Sequence, residues 1–197
     1  MAVARDAGLL VIADGKRGDV PVSAAAYGEA MFGDAPALAA DAATANPLLG
    51  ADALEPLVEA AERAGAGVFA LVRTSNPGAA DVFDLPAPDA PLHERLAGLV
   101  AERAERLAAE SGLSGMGAVV GATEPRHFAR LRELMPASIF LIPGIGAQGG
   151  RLGDLAEALG DHPASILATA SRSIANAPDP GGAAEALRAE LWGLTGA

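Results

Sequence analysis

The chain has 197 residues, of which 51% are hydrophobic, and its 25 acidic and 14 basic side chains leave a net charge of −11. This length is enough for one globular domain with a sizeable core, and no apolar run reaches the roughly 18 residues that a membrane helix needs. The negative charge argues against nucleic acid as a partner, because such binding depends on many Lys and Arg contacts to phosphate. The absence of cysteine excludes disulfides and thiolate metal sites, and it is compatible with the cytoplasmic location that we expect.

Short apolar segments alternate with amphipathic segments along the whole chain. The apolar runs predict strands over 9–14, 38–45, 67–73, 116–121, 138–142 and 165–170. Spacings of three and four residues predict helices over 21–32, 51–64, 92–110, 124–135, 149–159 and 182–194. The strands are apolar almost throughout rather than alternating, which is typical of a parallel sheet that is buried on both faces.

Six consecutive strand–helix units fit either a doubly wound sheet or a TIM (β/α)₈ barrel. A barrel needs eight units and typically about 250 residues. The opening segment MAVARDAG resembles the last turns of a helix that Gly8 ends before the first strand. We therefore expect a single (β/α) barrel domain over 1–197 that holds six of the eight units and is incomplete at its N-terminus.

Polar clusters follow five of the predicted strands at the point where each strand ends. In chain order they are Asp14-x-Lys16-x-x-Asp19, Thr44 with Asn46-Pro47, Arg73 to Gly78, Pro143 to Gly149, and Ser171-Arg172-Ser173. The carboxyl ends of parallel strands meet at one edge of the sheet, where α/β proteins bind their ligands. The sequence therefore predicts a binding site at this edge.

Lys16 is the only lysine of the chain, since the other 13 basic residues are arginines. An ammonium group can release its proton in a suitable environment, whereas a guanidinium stays protonated. Asp14 and Asp19 flank the lysine, and two residues apart on a strand, Asp14 and Lys16 point the same way. Such a pair of carboxylates would keep the ammonium charged and oriented until a carbanion accepts its proton. The alternative is a chance lysine in a solvated charge cluster.

The segment PGIGAQGG matches G-x-G-x-x-G through Gly144, Gly146 and Gly149. A dinucleotide site would also need an acidic residue about 20 positions later, where this chain has Arg172 instead. We favour a phosphate site, in which glycine N–H groups, the start of the next helix and the Arg172 guanidinium bind the anion.

The segments VIADGKRGDV, TANPLLG, VFALVRTSNPGAADVFDL, GAVVGAT, LIPGIGAQGG and SRSI together resemble the orotidine 5′-phosphate decarboxylase family, in its branch with AKRGD and RTSNPG motifs. The resemblance covers essentially the whole chain in the same order. It implies decarboxylation of orotidine 5′-phosphate to UMP in de novo pyrimidine biosynthesis, by a homodimer that uses no metal and no organic cofactor.

The resemblance also implies roles for individual residues. Lys16 would protonate C6 of the pyrimidine, Asp14 would sit beside the substrate carboxylate, and Asp19 would reach the substrate of the partner subunit. Ser75 would contact the pyrimidine, while Gln148 and Arg172 would hold the phosphate. The candidate substrate-binding residues are Asn46, Ser75, Pro143, Gly144, Gln148 and Arg172, of which Asn46 could equally be part of a turn that ends its strand.

The chain departs from the family pattern in three respects. The family also uses a lysine and an aspartate from earlier strands, which this chain lacks, and Gly15 replaces an expected alanine at a crowded position. Two alternatives therefore stay open: a related Mg²⁺-binding sugar-phosphate decarboxylase or aldolase-like barrel enzyme, and an inactive truncated fragment of the decarboxylase.

Several other residues are expected to be structural. The three histidines, among them His93 and His127, lack metal-like spacing, and Phe128, Met135 and Trp192 lie on apolar helix faces. The charged stretch 102–106 is expected to be a solvated helix face with pairs within the helix.

Overall fold

A computed structural model describes residues 2–33, 40–146 and 148–195. Its strands are β1 (Ile12–Arg17), β2 (Ala42–Ala45), β3 (Gly67–Arg73), β4 (Ser114–Val120), β5 (Ser138–Ile142) and β6 (Ile166–Ala168). Its helices are α1 (Ala2–Asp6), α2 (Pro21–Phe32), α3 (Ala51–Ala64), α4 (Ala80–Phe83), α5 (Leu92–Ala101), α6 (Phe128–Leu134), α7 (Ala156–Leu159), α8 (Arg172–Ala175) and α9 (Pro180–Gly193). Short 3₁₀ turns lie at Pro77–Ala79, Ala104–Leu107, Pro125–His127 and Leu152–Leu155.

The six strands are all parallel and lie side by side in chain order, from β1 to β6. A doubly wound sheet would reverse its strand order at a switch point. Consecutive right-handed crossovers without reversal put every helix on the same face, so the sheet curls into part of a barrel. The prediction of a TIM-barrel fold with six β/α units is therefore confirmed, as a half-barrel.

Burial of the central strands and of one face of α3 follows the sequence pattern closely. All seven residues of β3 are buried, as expected for a central parallel strand. Leu54, Leu57 and Val58 form the buried stripe of α3, and Gly65 ends that helix in the left-handed conformation at φ 64°. Phe128 and Met135 are core residues as predicted.

Some predicted elements differ from the structure at their ends. β1 begins and ends three residues later than predicted, so that Leu9 and Leu10 are exposed and the polar segment DGKR belongs to the strand. Arg17 pairs with Ala45 of β2 beyond an irregularity in the register, which hydrophobicity alone does not indicate. Residues 38 and 39 of the second predicted strand lie outside the described residues, and β2 begins at Ala42.

Two predictions about helix surfaces are wrong. The helix expected over 92–110 ends at Ala101, and a 3₁₀ turn over Ala104–Leu107 follows it. Arg103 and Arg106 form ion pairs with Glu55 and Glu62, which join this segment to α3 and are not pairs within one helix. Trp192 is half-exposed, since α9 has no fully buried residue among those described.

A cavity of about 870 Å³ lies on the inner side of the half-barrel. Apolar side chains from five strands line it, including Ile12, Ala42, Phe69, Leu141 and Leu167. Gly67 and Ser114 also line it, so the cavity extends to the amino ends of the strands. No helix in the part of the chain that the structure describes is long and apolar enough to cross a membrane.

Candidate functional site

Lys16 lies in a bulge of β1 and has an unusual backbone conformation. The pairing of β1 with β2 advances from Ala13–Ala43 directly to Arg17–Ala45, so three residues of β1 lie opposite Thr44. Lys16 has φ 49°, and it is the one non-glycine residue among those described with a positive φ. Left-handed backbone is costly for a side chain of this size and is concentrated at functional sites.

The bulge brings Lys16 against Asp14 and Thr44. The Lys16 ammonium donates to Oδ1 of Asp14 at 2.6 Å, and the Thr44 hydroxyl donates to the same oxygen at 2.9 Å. The Lys16 N–H donates to the Thr44 hydroxyl oxygen at 2.8 Å. Asp14 and Lys16 therefore meet as expected, but through the left-handed bulge and not through the two-residue period of a regular strand. Sequence reasoning noted Thr44 at the strand end and assigned it no role.

The ionisation of Asp14 depends on two opposing effects. Partial burial alone would raise the pKa of the Asp14 carboxyl, but the hydrogen bonds from Lys16 and Thr44, with the charge of Lys16, lower it below its usual value. Asp14 is therefore a carboxylate at neutral pH. It holds the Lys16 ammonium by charge and geometry together, while both side chains stay about half-exposed to solvent.

Asp19 and Asn46 both make local contacts at the end of their strands. Asp19 accepts a hydrogen bond from the N–H of Val20 at 2.7 Å, and within the described part of the chain it makes no ion pair with Lys16. Asn46 accepts from the N–H of Leu48 at 3.1 Å, which is the turn considered as its alternative role. Gly18 packs on Asn46 so closely that a Cβ there would lie 2.2 Å from the Asn46 carbonyl oxygen.

The predicted phosphate site is a small cavity of about 210 Å³ beyond the carboxyl ends of β5 and β6. Its lining includes Pro143, Gly144, Gln148 and Arg172, which are four of the six predicted binding residues. Gly144 has φ 100°, so the turn needs a residue without a side chain there. The helix expected over 149–159 is a 3₁₀ turn followed by one α-turn, so the glycine loop does not open a regular helix.

Ser75 connects the loop after β3 with this cavity. Its hydroxyl donates to Oε1 of Gln148 at 2.8 Å, and its carbonyl accepts from the Thr123 hydroxyl at 3.0 Å. Gly121 lies against Ser75, because a Cβ on Gly121 would be 2.6 Å from the Ser75 Cα atom. The backbone of Ser75 is thus fixed on two sides, and its side chain contacts Gln148, which lines the cavity.

The small cavity, and not the larger one, is the candidate ligand site. The larger cavity is lined mainly by inner-face apolar side chains, and its Arg106 and Glu62 bind each other. The small cavity combines a guanidinium, an amide, a hydroxyl and a glycine loop, which is the donor set that binds phosphate. Lys16 lies at the same edge of the sheet, at the end of β1. Across residues 2–33, 40–146 and 148–195, no group of three or more His, Asp or Glu side chains is arranged to hold a metal ion.

Comparison with known proteins gives one consistent result. Residues 1–187 match the family model described as Orotidine 5'-phosphate decarboxylase / HUMPS family. A Caldicellulosiruptor bescii protein named orotidine 5′-phosphate decarboxylase is 43% identical over 84% of this chain and 57% of its own length. A Deinococcus radiodurans protein of the same name is 44% identical over 99% of this chain and 71% of its own length.

Solved structures agree with the sequence relatives. The structure of a putative orotidine 5′-phosphate decarboxylase from Streptomyces avermitilis has a TM-score of 0.84 and 35% identity, and it covers 100% of this chain and 69% of that one. The Leishmania donovani OMP decarboxylase has a TM-score of 0.79 and 37% identity, over 97% of this chain and 70% of that one. This chain spans 57 to 58% of the length of the Caldicellulosiruptor bescii and Rhodopirellula baltica relatives.

Proposed function

Because the chain belongs to the orotidine 5′-phosphate decarboxylase / HUMPS family, we propose that its site converts orotidine 5′-phosphate to UMP in pyrimidine biosynthesis in the cytoplasm. The observation that carries the proposal is the strained Lys16, held by Asp14 and Thr44 at the sheet edge that also forms the phosphate cavity. Only a lysine at that position combines fixed positive charge with a transferable proton.

In this proposal Lys16 is the general acid. The bond between C6 and the carboxyl carbon breaks, CO₂ leaves, and the electron pair stays on C6 as a vinyl carbanion. The Lys16 ammonium then donates its proton to C6, and the neutral amine regains a proton from water. Asp14, a carboxylate at neutral pH, orients the ammonium through their hydrogen bond, and the positive charge stabilises the carbanion as it forms.

The phosphate would be held on the other side of the site by Arg172 and Gln148, and Ser75 would contact the pyrimidine. Support comes from the cavity that Arg172 and Gln148 line and from the bond between Ser75 and Gln148. Binding energy from this remote group can be used to hold the pyrimidine against Lys16, where the reaction occurs. Pro143 and Gly144 would form the wall of the phosphate cavity, and Asn46 would shape the turn behind Asp19.

We extend the proposal to a homodimer in which Asp19 acts on the partner's substrate. Four large apolar side chains are exposed close to Asp19 in sequence or across the turn, namely Val20 (54%), Val22 (85%), Leu48 (45%) and Leu49 (48%). Apolar side chains grouped in this way are typical of a protein–protein contact. The carboxylate of Asp19 would lie within that contact.

The domain would be a complete barrel only with two more β/α units between β6 and β1. Neither β1 nor β6 has a second neighbouring strand among the described residues. Leu167 is 40% exposed beside the large apolar cavity on the inner face, and added side chains would pack there. A segment that filled this gap could supply the earlier lysine and aspartate of the family's site.

CO₂ release from orotidine 5′-phosphate, measured with the carboxyl carbon labelled and EDTA present, tests the proposed reaction. The proposal expects release that continues in EDTA and matches UMP formation one to one. Release that stops in EDTA and returns with Mg²⁺ would instead favour the related sugar-phosphate enzymes.

A further inference from the structure

A cluster of charged and titratable side chains, buried or partly buried except for the exposed Arg126, lies behind the loop that carries Ser75. It consists of Arg73, Asp84, His93, Arg126 and His127, and we call it the Arg73–Asp84 cluster. Arg73 is 3% exposed, although it is a charged residue at a strand end. The proposed chemistry uses none of these five residues, and sequence reasoning predicted the histidines to be surface or structural.

Arg73 links the two ends of the loop between β3 and α5. Its Nε and Nη2 donate to the two oxygens of Asp84 at 3.3 and 3.0 Å. Its Nη1 donates to the carbonyl oxygen of Thr74 at 2.9 Å. A fork of two bonds to one carboxylate is among the strongest side-chain pairings, and it fixes direction as well as distance. These hydrogen bonds also lower the pKa of Asp84 against the opposing effect of its burial.

The two histidines hold Asp84 from the opposite side. Nδ1 of His93 is 2.8 Å from the carbonyl oxygen of Phe83 and 3.5 Å from Oδ1 of Asp84. The rings of His93 and His127 pack edge to face with centroids 4.5 Å apart. His127 places its buried Nε2 at 3.9 Å from Oδ1 of Asp84, and this nitrogen has no hydrogen-bond partner within the described structure.

The Arg73–Asp84 cluster is connected to the small cavity by two hydrogen bonds and one peptide bond. Arg73 binds the Thr74 carbonyl, Thr74 is joined to Ser75, and the Ser75 hydroxyl binds Gln148 in the cavity wall. The peptide group between Thr74 and Ser75 is therefore held by the guanidinium. If that peptide turned, the Ser75 hydroxyl would leave Gln148, because its position depends on the backbone torsions on either side.

We propose that Arg73 and Asp84 are positioning residues, which set the Ser75 hydroxyl against Gln148 by clamping the Thr74 carbonyl. The inference rests on the proposed function for the use of Ser75, while the clamp itself is a property of the fold. The rings of His93 and His127 pack next to Asp84 and restrict the positions that its carboxylate can take.

The substitution Asp84→Asn tests the clamp with little change of shape. It removes the charge that Arg73 pairs with, so we expect amide hydrogen exchange at Ala79, whose N–H donates to the Asn76 carbonyl, to accelerate about tenfold or more while exchange in β4 is unchanged. Glu55→Gln is the matched control, because its carboxylate binds Arg103 and Arg106 and does not line the small cavity. Unchanged exchange at Ala79 in Asp84→Asn would overturn the proposal.

A double-mutant cycle with Ser75→Ala then tests whether Asp84 acts through Ser75. For decarboxylation we expect Asp84→Asn to lower kcat/KM about tenfold or more in the original chain, and less than about twofold when Ser75 is already alanine. Equal losses in both backgrounds would overturn the positioning role. Fast exchange in Asp84→Asn with no turnover by any form would contradict the proposed function and leave the clamp supported, so the two failures are distinguishable.

Discussion

The conformation of Lys16 is the feature of this protein that a sequence pattern could not show. Its single occurrence and its flanking acids marked it as a candidate, and the structure adds a positive φ and a bulge. Both features cost free energy that a solvated lysine would not require. The contacts with Asp14 and Thr44 hold that strained conformation in place.

The substitution Lys16→Arg keeps the charge next to Asp14 and removes the transferable proton. We expect it to lower kcat about 10³-fold or more, which is the usual range for loss of a general acid. Steady-state CO₂ release measures the change. Arg188→Lys is the control, since Arg188 binds Glu185 on the surface of α9; a Lys16→Arg variant as active as this control would refute the assignment.

His127 makes stability depend on pH in the mildly acid range. Burial first, and then the charges of His93, Arg126 and Arg73, lower the pKa of His127, and Asp84 only partly opposes them. The folded state therefore protonates His127 at lower pH than the unfolded state, in which a histidine has a pKa of about 6.5. The contribution of the neutral His127 side chain to the free energy of unfolding is complete above that pH and decreases as the pH falls through it.

Urea unfolding of His127→Gln at pH 7.5 and 5.5 measures this contribution. We expect the free energy of unfolding to decrease less between the two pH values in His127→Gln than in the original chain. His162→Gln is the control, because His162 lies outside the Arg73–Asp84 cluster and bonds the backbone N–H of Ala164. The same pH dependence in all three proteins would exclude His127 as its source.

At the scale of elements, backbone contacts that only small residues permit shape the ends of the strands. Gly18 lies against the Asn46 carbonyl, and Gly121 lies against Ser75.

A buried arginine connects several elements of the fold. Arg132 of α6 donates to the carbonyls of Ala158, Met135, Pro136, Ser138 and Ser165. Burial lowers the pKa of Arg132 to about 10, so it remains a cation at neutral pH and ties α6 to β5 and α7.

Two glycines of the motif DGKRGD should respond differently to alanine. A Cβ on Gly18 would lie 2.2 Å from the Asn46 carbonyl oxygen, whereas a Cβ on Gly15 would lie 3.6 Å from Arg17, which is ordinary contact. We expect Gly18→Ala to destabilise the fold by about 1–3 kcal/mol and Gly15→Ala to change it by under about 0.5 kcal/mol. Thermal unfolding compares them; equal losses would contradict this. Gly15 is thus less crowded than the sequence suggested.

At the scale of the whole molecule, the half-barrel leaves a cavity on its apolar inner face, beside which Leu167 is 40% exposed. The cavity that Phe69 and Leu167 line is the consequence of six strands where a barrel has eight. The two catalytic halves of the proposed site, at β1 and at β5 with β6, lie at opposite sides of this sheet in strand order. Closure of the barrel would make them neighbours around one ring.

A chimera that adds two β/α units before residue 1 tests this argument. The units are taken from the Streptomyces avermitilis relative, of whose chain the present one covers 69%. We expect CO₂ release from orotidine 5′-phosphate to be at least about 10³-fold faster in the chimera, because closure orients the ammonium and the phosphate site together. Equal rates for the chimera and the present chain would show that closure is not needed.

The sequence by itself determined the parallel strand–helix order, the core of α3 and four of the residues that line the small cavity, Pro143, Gly144, Gln148 and Arg172. These features depend on local periodicity and on glycines at strand ends, which can be recognised in a single amino-acid sequence. Only the tertiary structure decided the bulge at Lys16, the role of Thr44, the end of α5 at Ala101 and the burial of Arg73 with Asp84. Each of these depends on partners about ten or more residues away, and pairing across such distances leaves no local pattern to read.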